Sequence, residues 1–255
     1  MKLTRALQNL YYHWVVSTDG CFEVRVGPTT CRFWAKDPYD LRGLEGDFVS
    51  EQDFVDALAN TLRQGDVFFD IGSSVGQFAI PMAKIVGPTG RVMAFEPEAV
   101  ASERLQRHIA INGLTNVSLF RMALGEENCK AKLLFGDNIC PSLLPHQGEC
   151  VAQNFSQAVE VVRGDRLVLS QALPIPRAVK IDVEGYEYSV LRGLKRTLAH
   201  RACELLCLEI HPTFLPAGVT QEQIAEFVES LGFSREAESL CRGRQVHMIA
   251  KRRAN

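Results

Sequence analysis

The segment Val67 to Gly76, VFFDIGSSVG, constrains the fold of this chain more than any other. Five residues of buried-strand character run into Gly72, so the strand ends in a tight turn at the edge of a sheet. The pattern of apolar strand followed by amphipathic helix then recurs. Strands are predicted at Val67–Ile71, Arg91–Phe95, Val117–Met122, Ala178–Ile181 and Leu205–Ile210, with helices near Gly76–Val86, Glu98–Asn112, Tyr186–Ala199 and Gln221–Leu231. Such alternation forces an α/β architecture, a parallel sheet covered by helices on both faces.

The ends of the chain add smaller pieces. Leu3, Leu7, Leu10 and Trp14 recur at helical spacing and predict a helix packed on the domain, followed by a hairpin over Gly20–Trp34. Residues 1–45 are read as this extension and 46–255 as the main domain, whose first helix opens at Ser50–Asp53 and buries Phe54, Val55, Leu58 and Leu62. Lys130 to Val162 interrupts the alternation with strand-like runs at Lys130–Phe135 and Ala158–Val162 around a polar loop, and is read as a lid over the substrate. Phe233–Leu240 and Gln245–Lys251 close the chain as an antiparallel hairpin. A parallel core finished by such a hairpin is the Rossmann-like sheet of class I methyltransferases, whereas a dinucleotide-binding sheet would continue in parallel.

Charge and composition exclude several partners. The 28 Lys and Arg against 30 Asp and Glu leave a formal charge of −2, with no basic excess for a phosphate backbone, so nucleic acid is not expected as the main partner. No segment reaches the ~20 apolar residues of a membrane span, and no signal-peptide core forms near Lys2 and Arg5, so a cytoplasmic location is expected. The eight cysteines lack metal-site or redox spacing. Cys203 and Cys207 read as core, and Cys140 and Cys150, which flank a polar loop, are the one pair to watch.

The chemistry-bearing residues cluster at strand ends. The fingerprint G-x-G-x-x-G fails, because Ser74 and Gln77 stand where glycines are needed. Gly72 still permits the turn, Gly76 lets a helix begin close to a ligand, and Asp70 is placed to act on a cofactor ammonium. Glu96 ends the second strand, twenty residues beyond Gly76, where an acid accepts ribose hydroxyls. Met122 and Ala123 fall where an adenine would lie. After the fourth strand, Asp182 and Glu184 stand two residues apart, suited to taking a proton or holding a divalent metal, with helix capping as the plain alternative. His211 follows Glu209 at the end of the fifth strand, an imidazole with an ordinary pKa near neutrality.

Taken together, the segments VFFDIGSSVGQF, VMAFEPEAV, RHIAINGLTNV, VVRGDRLV, KIDVEGYEYSVLRGL and LCLEIHP resemble the FkbM family of methyltransferases, in that family's order. The resemblance implies S-adenosylmethionine as cofactor, contacted by Asp70, Gly72, Gly76 and Glu96, with Asp182 and Glu184 at the reaction centre; Ser74 is expected to bind the cofactor too, as a hydrogen-bond donor. It implies O-methylation of a hydroxyl on a sugar, glycolipid or natural product. Ser73-Ser74 replaces the family's usual Ala-Asn, and Arg163-Gly164-Asp165 replaces Thr-Leu-Asp.

The expected reaction is displacement of the sulfonium methyl by a substrate oxygen, with Asp182, Glu184 or His211 as base. A metal on Asp182, Glu184 and Glu209 is the alternative, and a metal-free route is preferred for want of an obvious third ligand. Two rivals remain: a nicotinamide-dependent oxidoreductase, opposed by the missing glycines, and a catalytically degenerate interaction module, opposed by retention of the site acids.

Overall fold

A computed structural model describes residues 5–136, 139–143, 156–170, 173–240 and 245–253. The chain opens with α1 (Arg5–Val15), the hairpin β1 (Cys21–Val26) and β2 (Thr29–Trp34), then α2 (Pro38–Ser50) and α3 (Gln52–Thr61). The alternating core follows as β3 (Val67–Ile71), α4 (Ala79–Val86), β4 (Arg91–Phe95), α5 (Ala99–Ile111) and β5 (Val117–Phe120). A second sheet is built from β6 (Ala123–Gly125), β7 (Cys129–Gly136), β8 (Ile139–Ser142) and β9 (Ser156–Arg163). The chain then returns through α6 (Gly164–Ser170), β10 (Ala178–Ile181), α7 (Glu187–Gly193), α8 (Lys195–Ala199), β11 (Leu205–Ile210), α9 (Gln221–Ser230), β12 (Phe233–Leu240) and β13 (Val246–Arg252).

The central sheet has seven strands in the order β12-β13-β11-β10-β3-β4-β5. Its five core strands pair in parallel, and β13 runs antiparallel between β11 and β12, so the closing hairpin is present as expected. Strand order reverses at β3 and β10, which puts the topological switch point of the sheet at their carboxyl ends. Two apolar clusters cover the faces. One joins Phe68 of β3 to Phe54, Ile80, Leu105 and the hairpin residue Phe33; the other joins Phe69 and Ile71 to Val190, Leu191, Ile224 and Val228. Alternation along β3 therefore sends Asp70 to the same face as Phe68.

Several boundaries differ from expectation for visible reasons. Gly76 lies at φ +97, outside helical space, and α4 starts only at Ala79. The helix expected over Tyr186–Ala199 is broken at Leu194, next to Gly193, where a Cβ would lie 1.9 Å from the Gly125 carbonyl oxygen. The third strand stops at Phe120, and Ala123 begins β6 in the other sheet, paired in parallel with β9. The helix α2 was not anticipated, although Asp37 caps it by accepting from Tyr39 and Asp40 amides and Pro38 fills its first turn.

Helix α1 forms, but Leu7, Leu10 and Trp14 are exposed; Tyr12 and Val15 supply its packed face, and the Tyr12 hydroxyl donates to the Ala35 carbonyl at 2.8 Å. Cys203 and Cys207 are buried in the core as expected. The centre of the Lys130–Val162 insertion lies outside the described residues, and Cys150 with it, so the Cys140–Cys150 pair falls there too. Among the described residues no helix is long and apolar enough to cross a membrane.

Candidate active site

A cavity of about 410 Å³ lies over the carboxyl ends of β3, β4, β10 and β11. Gly72, Ser74 and Glu96 line one end; Asp182, Glu184, Glu209 and His247 line the other; Met122, Ala123 and Leu133 form the wall towards the second sheet.

Backbone geometry makes the first end. Gly72 has φ +76, and a Cβ there would fall 1.7 Å from the Asp182 carbonyl oxygen, so only glycine lets β3 and β10 approach. Ser74 continues the turn at φ +47, a conformation that asparagine tolerates better than serine. Its N–H donates to Glu96 Oε2 at 2.7 Å, while the Glu98 N–H donates to Glu96 Oε1 at 2.8 Å. Each carboxylate oxygen keeps acceptor capacity. Burial pushes the Glu96 carboxyl up to about 7, against the two amides that favour its ionised form.

Asp70 and Gly76 are placed differently from the sequence reading. Neither lines the cavity. Asp70 is wholly buried behind the turn, and burial lifts it to about 6 while Lys180 and the Ala79 amide oppose the rise. A Cβ on Gly76 would meet Leu105 of α5 at 2.5 Å, so that glycine serves helix packing.

Charge makes the second end. Lys180 is buried beside Asp70 in register, its ammonium 3.0 Å from Asp182 Oδ2 and 4.9 Å from the centre of the Phe78 ring. Burial disfavours its charge, but Asp182, Glu51, Asp70 and Glu209 outweigh that and hold the ammonium charged; Lys180 and His211 in turn keep Asp182 ionised against its own burial. Glu51, at the junction of α2 and α3, is pushed by burial up to about 8.

His211 sits behind these acids and is almost completely buried. Its Nδ1 lies 2.7 Å from Glu187 Oε1, and its Nε2 lies 3.3 Å from Glu184, 3.6 Å from Glu209 and 3.9 Å from Asp182. Burial works against a charged ring, but the Glu187 hydrogen bond and the surrounding acids prevail and raise it to about 9. His247 is similarly buried between Asp53 and Glu209, whose hydrogen bonds outweigh burial and raise it to about 10. In this arrangement the surrounding carboxylates favour the protonated form of both rings.

The structure thus brings Gly72, Ser74, Glu96, Met122, Ala123, Asp182 and Glu184 to one cavity, with His211 just beneath it. Asp182 and Glu184 do not cap α7, whose first turn has Tyr186 at the N-cap and no side-chain cap bond. Glu184 instead holds φ +54, and it and Ser74 are the two non-glycine residues with positive φ among those described, both on the cavity. Sequence reasoning missed Glu51, Glu187, Gln245 and His247. Lone charges inside apolar strands, as at Lys180 and His247, were the available signal.

The donor set also fits S-adenosylmethionine: a buried acid held by two backbone amides, a turn too close-packed for any Cβ, and Met122 and Ala123 on the wall. Comparison with known proteins agrees. The model of the methyltransferase FkbM domain matches residues 70–235. The chain is 27% identical over 216 residues to hexuronic acid methyltransferase AglP of Haloferax volcanii, covering 85% of this chain and 80% of that one. It is 28% identical over 170 residues to methyltransferase 1 of Beauveria bassiana, covering 59% and 68%. An rRNA methylase from Streptococcus thermophilus shares the fold at TM-score 0.50 and 13% identity, over 80% of this chain and 97% of that one. With a family match across well over half its length and that family's acids gathered at one crevice, the chain belongs to the FkbM family of S-adenosylmethionine-dependent methyltransferases.

Proposed function

We propose that the chain transfers a methyl group from S-adenosylmethionine to a hydroxyl of a sugar, glycolipid or related natural product. One observation carries the reading: a single cavity joins the Gly72–Ser74–Glu96 end to the Asp182–Glu184 end. S-adenosylmethionine, when bound, supplies a methyl group activated on a sulfonium. Glu96 accepts the ribose hydroxyls through the lone pairs its two amide donors leave, Met122 and Ala123 wall the adenine, and the backbone at Gly72 and Ser74 receives the amino-acid end. Asp70 acts on that end only through the turn, since its carboxylate is sealed behind it.

At the other end the acceptor hydroxyl meets Asp182, Glu184 and the buried His211. Its proton leaves to a carboxylate of this acid-lined end as the oxygen–carbon bond forms and the carbon–sulfur bond breaks. Alignment of the two ends supplies most of the rate enhancement. The acids oppose a phosphate backbone there, which supports a small-molecule or glycan acceptor over nucleic acid. The hexuronic acid methyltransferase among the relatives supports a sugar. Buried thiols at Cys203 and Cys207 support action in the cytoplasm.

The test is methyl transfer to a panel of sugars, glycolipids and hydroxylated natural products, with the product mapped by mass spectrometry. A methyl ether on at least one acceptor is expected. Transfer to nitrogen alone would overturn the O-methyl reading.

A further inference from the structure

We propose that Asp182, Glu184 and His211 form a divalent-cation site, which binds the acceptor hydroxyl during methyl transfer. The inference rests on the proposed reaction and replaces the metal-free route expected above with one that uses an ion.

Geometry is the first ground. One donor atom from each residue lies within 4.8 Å of the others, and Nε2 of His211 is 3.3 Å from Glu184 and 3.9 Å from Asp182. Two ligands held at ~2.1 Å from one ion stand about 3–4 Å apart, so both measured separations already fit. The division of labour on Asp182 fits as well: Oδ2 pairs with Lys180, while Oδ1 is the oxygen directed to the imidazole. The third ligand that was not evident in the sequence is the imidazole, twenty-seven residues beyond Glu184 and delivered by the neighbouring strand β11.

A second, separate ground lies behind the site. Glu187 is fully buried, it holds His211 Nδ1 at 2.7 Å, and the Gly185 N–H fixes the same oxygen at 2.8 Å. A carboxylate on the far nitrogen of a histidine is the outer-shell device that orients imidazole towards a metal. The other Glu187 oxygen is buried with no hydrogen-bond partner. Four carboxylates, those of Asp182, Glu184, Glu187 and Glu209, thus surround one ring at 2.7–3.9 Å. With Lys180 on Asp182 and His247 on Glu209, the carboxylates of Glu184 and Glu187 remain against the one imidazole, an excess of negative charge in a place of low solvent access. A bound cation removes that excess.

Two carboxylate oxygens with one imidazole suit Mn²⁺, Co²⁺ or Zn²⁺ better than Mg²⁺ or Ca²⁺, which favour oxygen alone. Three protein ligands leave positions for water and for the acceptor oxygen. Coordination lowers the hydroxyl's pKa; its proton passes to Glu51 or Glu209, its oxygen takes the methyl carbon, and the sulfur keeps the electron pair of the bond that breaks.

The experiment titrates metal-stripped full-length protein with Mn²⁺, and in parallel with Zn²⁺, following free Mn²⁺ by electron paramagnetic resonance and Zn²⁺ by a competing chelator dye. The thermal shift with S-adenosylhomocysteine is recorded on the same samples. One ion per chain is expected for the parent protein. His211→Ala should lose that ion, and Glu187→Gln should weaken it about 10–100-fold, both with the S-adenosylhomocysteine shift intact, which also shows that the variants fold. Equal metal affinity in parent and His211→Ala, or no ion bound by a parent that responds to S-adenosylhomocysteine, would overturn the cation site alone. Absence of the S-adenosylhomocysteine shift in the parent would instead remove the methyl-transfer reading on which it rests.

Discussion

The two ends of the cavity are built by different means. At the Gly72 end the chain itself is the binding surface: a turn at positive φ, a serine amide and one acid held by two neighbouring N–H groups. At the Asp182 end side chains dominate, with Lys180, His211 and His247 set among Glu51, Glu187 and Glu209. The first end suits a cofactor of fixed shape, because backbone geometry changes little between sequences that share the turn. The second is tuned by charge, and single substitutions there alter chemistry while leaving the turn in place.

Substitutions should separate the two ends. The largest effect is expected from Gly72→Ala, which drives a methyl group into the Asp182 backbone and forces β3 and β10 apart. Stability should drop by more than ~4 kcal/mol, and urea unfolding would read it. A variant of parental stability would mean that the two strand ends can separate at little cost. Next is Asp182→Asn, expected to lower methyl transfer about 100-fold or more with S-adenosylhomocysteine affinity kept. Loss of both together would merge the two ends into one functional unit.

A smaller effect follows from pH at the first end. Burial raises the Glu96 carboxyl from 4.5 to about 7, with Glu98 and Asp70 also raising it and the Ser74 and Glu98 amides resisting. Ribose hydroxyls bind the ionised form best, so S-adenosylhomocysteine affinity should fall as pH drops below about 7, by up to tenfold per unit, and level off above it. The same shift means that the ligand-free fold loses stability as pH rises through this range, since the unfolded chain releases the proton first. Calorimetric titration at several pH values would show the slope, and Glu96→Gln should flatten it. The smallest effect belongs to Ser74→Asn, which places a residue tolerant of φ +47 in the turn and should stabilise the protein by ~0.5–1 kcal/mol with cofactor affinity preserved.

The contrast between the ends also explains what the sequence revealed. VFFDIGSSVG is a local object, and Val67–Ile71 forms a strand with the limits expected; the same holds for Arg91–Phe95, Ala178–Ile181 and Leu205–Ile210. Glu96 is legible because a strand end and a spacing define it. The charged end is assembled across long separations: His247 meets Asp53, 194 residues away, and the same ring pairs with Glu209 across β11 and β13. No local pattern announces such contacts. Glu187 stands in the first turn of α7, and its partner His211 is 24 residues distant. Asp70 shows the opposite case: it belongs to the most legible motif, yet it lies fully buried beneath the cavity and not on its lining.

The central claim is that the Glu96 end holds S-adenosylmethionine, and the most direct measurement is the melting temperature of the protein with and without saturating S-adenosylhomocysteine, in the parent chain and in Glu96→Ala. The account predicts a clear upward shift in the parent and its loss or strong reduction in the variant. A folded parent that melts at the same temperature with and without the ligand would contradict it.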